Sequence, residues 1–498
     1  MKLTYPARAS LALCVLASAC SHGSKTASAA AADQTLDPYT APLTEADARF
    51  FLQRACLGAD PKELAKLETL GLHEYLARAL EFAVDTPVER AAEAVIQDPN
   101  RPRTDELARW WLFLMVRTES PLQEALALFW HDHFATSQLV LSEATKRYMV
   151  QHVNMLRRLA AGNLKELVHR VANDPAMLVF LDGVSSTKNR PNLNFPREFF
   201  EVFTLGRNNG YTEADIREAS RAFTGWRMVE DRATGDVLFV WDPSRHDLGQ
   251  KTVFGETGSF GYRELVELTF RTRGVAEYIA ARLFEHFCGY APGPGLVAQM
   301  AKRLRDNDYE LKPLLRALLG SRAFFSAQSR APIVKSPLEY VVGFSRTTGL
   351  ELPFPDLYEH LLTLRHVPTQ APSVFGWPTG SAWVGEHAMV QRGSLLNELI
   401  TAREHNGRLG RSLTQLLPPL EQRTADSVVA TLADSLGVTL TLAERQLYVD
   451  YLNQQASGSA STYRVERSPF DASNGRHVDE RVRGLLFILS QHPSYHTR

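Results

Sequence analysis

Polar caps followed by apolar residues at three- and four-residue spacing recur along most of the chain and predict helices. Thr44 with Asp47, Asp60-Pro61 with Glu63, Ser120-Pro121 with Gln123, Asn163 with Glu166 and Thr212 with Asp215 each open such a stretch. Asp174-Pro175 opens a short one. The apolar run Val237–Trp241, preceded by the turn signal Thr234-Gly235-Asp236, predicts a strand that pairs with Arg227–Glu230. The expectation is a mainly α, multi-helix globular fold with one small β-hairpin insertion near 227–241. Gly407–Ser412 and Gly458–Ser461 read as exposed loops that set off a candidate C-terminal helical subdomain from about 412.

The first residues follow a different pattern. Lys2 and Arg8, apolar Leu11–Leu16 and then Ala17-Ser18-Ala19 have the layout of a secretory signal over residues 1–19. The expected location is therefore outside the cytoplasm: periplasmic, anchored to the outer membrane, or secreted. Cys20 resembles the lipid-attachment cysteine of bacterial lipoproteins, although Ala17 stands where such signals usually place Leu. An ordinary signal-peptidase cut at the same bond is the alternative. The Ala- and Ser-rich stretch 20–37 reads as a flexible tether, with the folded domain starting near Pro38. No later apolar run reaches the ~18 residues that span a bilayer, so a membrane is expected to be met only through a lipid on Cys20. Cys56 and Cys288 are left either as one disulfide or as two buried thiols.

Composition changes the picture mainly by exclusion. The 498 residues are 44% apolar and 22% charged, as in an ordinary globular protein, with 55 basic against 56 acidic side chains. A net charge of −1 gives no field to hold nucleic acid by counterion release, so no nucleic-acid partner is expected. The sequence has no GxSxG elbow, HExxH, P-loop, GxGxxG or EF-hand loop.

Candidate chemistry lies instead in polar residues set among apolar ones. In 120–134 helical spacing turns His133 toward the packed side with Leu122, Leu126 and Phe129, and places His131 about 200° away, so the two cannot share a metal while both are helical. In Arg197–Leu205, about 100° per residue puts Glu198 in the middle of an apolar face with Phe199, Val202, Phe203 and Leu205, and Glu201 beside it. A buried carboxylate must find a cation, a metal or donors, or take up a proton. The pair is either an acid/base or metal-ligand pair, or part of an Arg197–Glu201 structural network. His246, Asp247 and Lys251 sit in a Gly- and Pro-punctuated loop, either a working loop or a solvated one. Candidate divalent-metal ligands are His133, Glu198, Glu201 and His246. Trp226, Trp377 and Trp383 suit sugar stacking, or cap a core.

Six ordered segments carry a resemblance: FFLQRACLGADPKEL at 50–64, FWHDHFATS at 129–137, the stretch 192–226 beginning NLNFPREFFEVFTLG, RHDLGQKTVFG at 245–255, KSPLEYVVGFSR at 335–346 and PSVFGWPTGSAW at 372–383. With them the chain resembles the bacterial family catalogued as domain of unknown function 1800. The resemblance implies an exported protein, often encoded beside a sulfatase-like family. It also implies signature positions at His131, His133, Asn192, Asn194, Arg197, Glu198, Glu201, Arg221, Trp226, His246, Asp247, Lys251, Trp377 and Arg392. Leu193 departs from it, since the family usually has Glu between the two asparagines, and Pro196 replaces a small residue.

Three functions are expected to compete. The first is a hydrolase acting on an envelope or extracellular polymer, with Glu198, Glu201, His133, His246, Asp247 and Lys251 as its catalytic set. Its substrate contacts would come from Arg197, Asn192, Asn194, Trp226, Trp377 and Trp383. The second is a non-catalytic scaffold for a sulfatase-like exported partner. The third is glycan binding through the tryptophans.

Overall fold

The computed structural model describes residues 35–402, 413–457 and 464–498. The signal, Cys20, the tether up to residue 34 and the loops 407–412 and 458–461 lie outside the described residues. Among those described, 21 α-helices accompany three two-stranded antiparallel sheets, so the fold is mainly α.

The caps explain where the helices begin. Thr44 and Asp47 exchange side-chain-to-backbone hydrogen bonds at 3.1 Å each, and Thr212 and Asp215 form the same box. Asn163 accepts from the amides of Lys165 and Glu166, and Asp174 from that of Met177. Ser120 makes no side-chain cap, and Pro121 alone marks that start. The hairpin spans Trp226–Asp231 and Asp236–Trp241, with Trp226 opposite Trp241. Two further hairpins, Lys251–Val253 with Glu256–Gly258 and Gln454–Ser457 with Arg464–Arg467, correct the expectation of a single one. Strands of three or four residues are too short for alternation to announce them.

Two apolar cores form the interior. One joins the N-terminal helices to residues 156–223 and 265–325. The other joins Thr104–Arg117, Pro337–Thr348, Glu386–Thr401, Ala425–Leu436 and Arg483–Ser490, so the C-terminal helices share a core with much earlier ones. Helix Pro121–His133 lies between the two. It gives Leu122, Leu126, Phe129 and Trp130 to the first core, and Ala125 and Ala127 to the second. A helix covered all round buries every face. His131 is therefore buried as completely as His133, which corrects the single packed face read from the spacing.

The helix that carries the acids also departs from its expected phase. Asn194–Glu198 is α-helical, but Phe199–Thr204 is a π-helix, in which the Leu205 amide reaches the Phe200 carbonyl at 2.9 Å. The wider turn rotates the residues after it. Phe199, Phe200, Phe203 and Thr204 face the core, while Glu198, Glu201 and Val202 are half-buried. Glu198 is thus not at the centre of the apolar face.

A buried network ties the central helix to its neighbours. Glu124, fully enclosed, accepts from Trp111 Nε1 at 2.9 Å and from Arg157 Nε at 2.8 Å, and Arg157 also pairs with Glu89 at 2.8 Å. Removing one partner of a buried pair leaves the other uncompensated. Glu124→Ala is expected to cost about 3–5 kcal/mol, read as a lower urea midpoint. An unchanged midpoint would show that the network does not hold the helix.

Candidate functional site

The end of the central helix meets the widened turn at a cleft of about 600 Å³. Asp132, His133, Glu201, Val202, Arg207, Tyr278, Arg282 and Phe375 line it. They come from the central helix, the π-helix and the loop after it, helix Gly274–Cys288, and the 372–383 loop.

The π-turn explains why two of these side chains stand where they do. A widened turn disturbs the regular backbone ladder, and buried carbonyls need donors. The Tyr278 hydroxyl donates to the Val202 carbonyl at 2.9 Å, and His133 Nε2 lies 3.0 Å from the Phe203 carbonyl. That contact makes Nε2 the protonated nitrogen. Burial, helped by Arg282, pushes the His133 imidazole down to about 3, so it stays neutral and holds the turn rather than carrying protons near pH 7.

Asp132 is the acid at the end of the central helix that lines the cleft. Its Oδ1 accepts the Trp377 amide at 2.8 Å. The loop can approach this closely because residue 376 is glycine: its φ is +73°, and a Cβ there would lie 2.0 Å from Asp132 Oδ1. Burial pushes the Asp132 carboxyl up to about 6, with Glu339 adding to the effect, while the Trp377 amide and Arg282 oppose it. Glu201 has two loosely held cations, Arg197 at 3.3 Å and Arg207 at 3.8 Å. Arg207 lies over the Phe375 ring at 5.2 Å, and Arg282 is 3.4 Å from Glu285. Burial, then repulsion from Glu201, raises the Glu198 carboxyl.

The structure brings only part of the expected set together. His133 and Glu201 share the cleft, and Glu198 stands one turn before Glu201. Arg197 is engaged chiefly by Glu213, through two bonds of 2.7 and 2.9 Å. Asn192 closes a turn, donating to the Leu181 and Asp182 carbonyls and accepting the Asn194 amide, while Asn194 is exposed. Leu193, at 45% exposure, does not line the cleft.

His246, Asp247 and Lys251 form a separate knot. Arg221 donates to both Asp247 oxygens at 2.7 and 3.1 Å and holds that carboxyl below the usual range. The buried Lys251 ammonium donates to the Asp247 and Gly249 carbonyls, and His246 Nδ1 lies 2.8 Å from the Thr224 carbonyl. These bonds tie the loop to helix Glu213–Ala222 and the residues after it. Trp377 and Trp383 are buried around His366, with ring centroids 5.0 Å from it, so they cap a core and offer no stacking platform. Trp226 lies half-buried against Tyr262 on the hairpin. Among the described residues no three His, Cys, Asp or Glu side chains are grouped to hold a metal ion, so His133, Glu198, Glu201 and His246 do not form a ligand set.

Asp132, Arg207, Tyr278, Arg282 and Phe375 were not legible as site residues. The one signal was the acid enclosed in His131-Asp132-His133. The family model described as Protein of unknown function (DUF1800) matches residues 50–497, and the chain belongs to that family. No curated protein and no solved structure matches it.

A raised carboxyl also has a stability signature. The folded protein holds the Asp132 proton more tightly than the unfolded chain does, so stability from this group is full below about pH 4 and is lost as pH rises toward about 6. Asp132→Asn keeps an oxygen for the Trp377 amide and removes that loss. In urea unfolding the variant is expected to exceed the parent protein at pH 7.5 and to gain nothing at pH 4. Equal destabilisation at both would show that the carboxyl is not strained.

Proposed function

We propose that this chain is a hydrolase-type enzyme acting on an acidic envelope or extracellular polymer, with the reaction in the cleft at Asp132. The observation that carries the reading is a carboxyl poised at about 6 in an open cleft that also holds the Glu201 carboxylate and two weakly paired guanidiniums. A group with that affinity can give and take a proton near neutral pH. Asp132 is the proton donor, Glu201 is the second carboxylate, and Glu198 stands one turn before it with its own carboxyl raised by burial and by Glu201. Arg207 and Arg282 suit the acidic groups of the substrate, with Phe375 and Tyr278 giving apolar contact. Arg197, His246, Asp247 and Lys251 act by holding the surrounding structure.

The test is turnover on a panel of acidic polysaccharides and polymers. Asp132→Asn is expected to lower kcat by roughly 10²–10⁴ with the melting temperature kept or raised. Unchanged turnover in this variant ends the assignment. The fully paired Arg221–Asp247–Lys251 knot favours the second reading, a non-catalytic scaffold for a sulfatase-like exported partner. Co-purification with such a partner and no turnover on any substrate is the result that reading requires.

Export and lipidation belong to the same proposal, because an envelope polymer lies outside the cytoplasm. No helix among the described residues is long and apolar enough to cross a membrane. Metabolic labelling with palmitate is expected to mark the protein and to fail in Cys20→Ala. Equal labelling of both would remove the anchor.

A further inference from the structure

A second polar centre lies where the start of helix Pro337–Thr348, helix Glu386–Thr401 and the segment Pro493–His496 meet. Arg392 is fully buried there. Its Nη2 donates to the Lys335 carbonyl at 2.6 Å and its guanidinium lies 4.9 Å from the Tyr340 ring, but Nε and Nη1 have no partner. Lys335, 7% exposed, donates to the Tyr495 carbonyl at 2.7 Å, and its ammonium lies 4.0 Å from the Tyr495 ring. His496 stacks parallel on Tyr340 at 5.1 Å with both ring nitrogens unpartnered, and its carbonyl accepts the Lys335 amide at 2.9 Å.

The charges here do not balance. Among the described residues neither Lys335 nor Arg392 is in an ion pair; burial pushes the Lys335 ammonium down to about 7 and lowers the Arg392 guanidinium, and Glu339, whose field both feel, is itself paired with Arg498 at 2.8 Å. Aromatic faces compensate buried cations only in part. Guanidinium and ammonium groups donate and never accept, so the missing partner must be an acceptor. Water would satisfy the donors but leave the charge, whereas an anion answers both. Phosphate, sulfate and carboxylate oxygens match a guanidinium fork.

We propose that Arg392, Lys335 and His496 enclose a binding site for a small oxyanion: sulfate, phosphate or a sugar carboxylate. None of these residues lines the cleft at Asp132, so the site stands or falls apart from the catalytic reading. Its enclosure favours a free inorganic ion over a group carried on a polymer.

The test titrates the full chain with sodium sulfate, sodium phosphate and sodium glucuronate to about 10 mM, with ionic strength held by sodium chloride and well below the range of general salting effects. A saturable rise in melting temperature of about 2 °C or more is expected with at least one ion, and is expected to be lost in Arg392→Met and in Lys335→Met. A response to sulfate or phosphate identifies a free inorganic ion, and a response to glucuronate alone identifies a sugar substituent. Crystals of the unaltered protein soaked in selenate give a readout that does not depend on the variants folding. An anomalous peak beside Arg392 supports the site. No saturable shift and no peak overturns it.

Discussion

A buried peptide carbonyl without a donor costs about 1–3 kcal/mol, and the widened turn at Phe199–Thr204 places two of them beside the cleft. Tyr278 and His133 supply the donors, each from a different helix. Those two side chains hold the end of the turn. Because it exists, Phe199, Phe200 and Phe203 pack inward while Glu201 reaches the cleft. The position of the acids therefore follows from a backbone requirement several ångströms away from them.

Much of the architecture was legible from local signals. The capping boxes at Thr44 and Thr212 and the hairpin at 226–241 announce themselves through spacing and turn chemistry. The phase of the 194–204 helix did not, because periodicity assumes a constant angle per residue and the π-turn breaks it. For His131 the reason differs. Spacing shows which residues share a face, but not how many faces are covered, and the central helix is covered on all of them. Asp132 was overlooked for that reason, and its partners Arg282 and Trp377 lie far along the sequence, where one chain read alone gives no link.

The polar interior falls into two kinds. Around Asp247, carboxylate, guanidinium and ammonium neutralise one another through a dense set of bonds, which fixes a loop. Around Asp132 and Arg392 compensation is incomplete: an acid prefers its proton, and donors face no acceptor. Sequence pattern singled out the first kind and passed over Asp132, although both set charged residues among apolar ones. Only the partners separate them.

Two buried thiols bear on how the folded region is made. Cys56 and Cys288 are free and almost wholly enclosed, and burial pushes each up to about 12. Neither supplies a thiolate at neutral pH, so oxidants and exchange catalysts find nothing to attack at these two positions. The fold is indifferent to redox conditions, and material matured under reducing or oxidising conditions should be covalently identical at both sites.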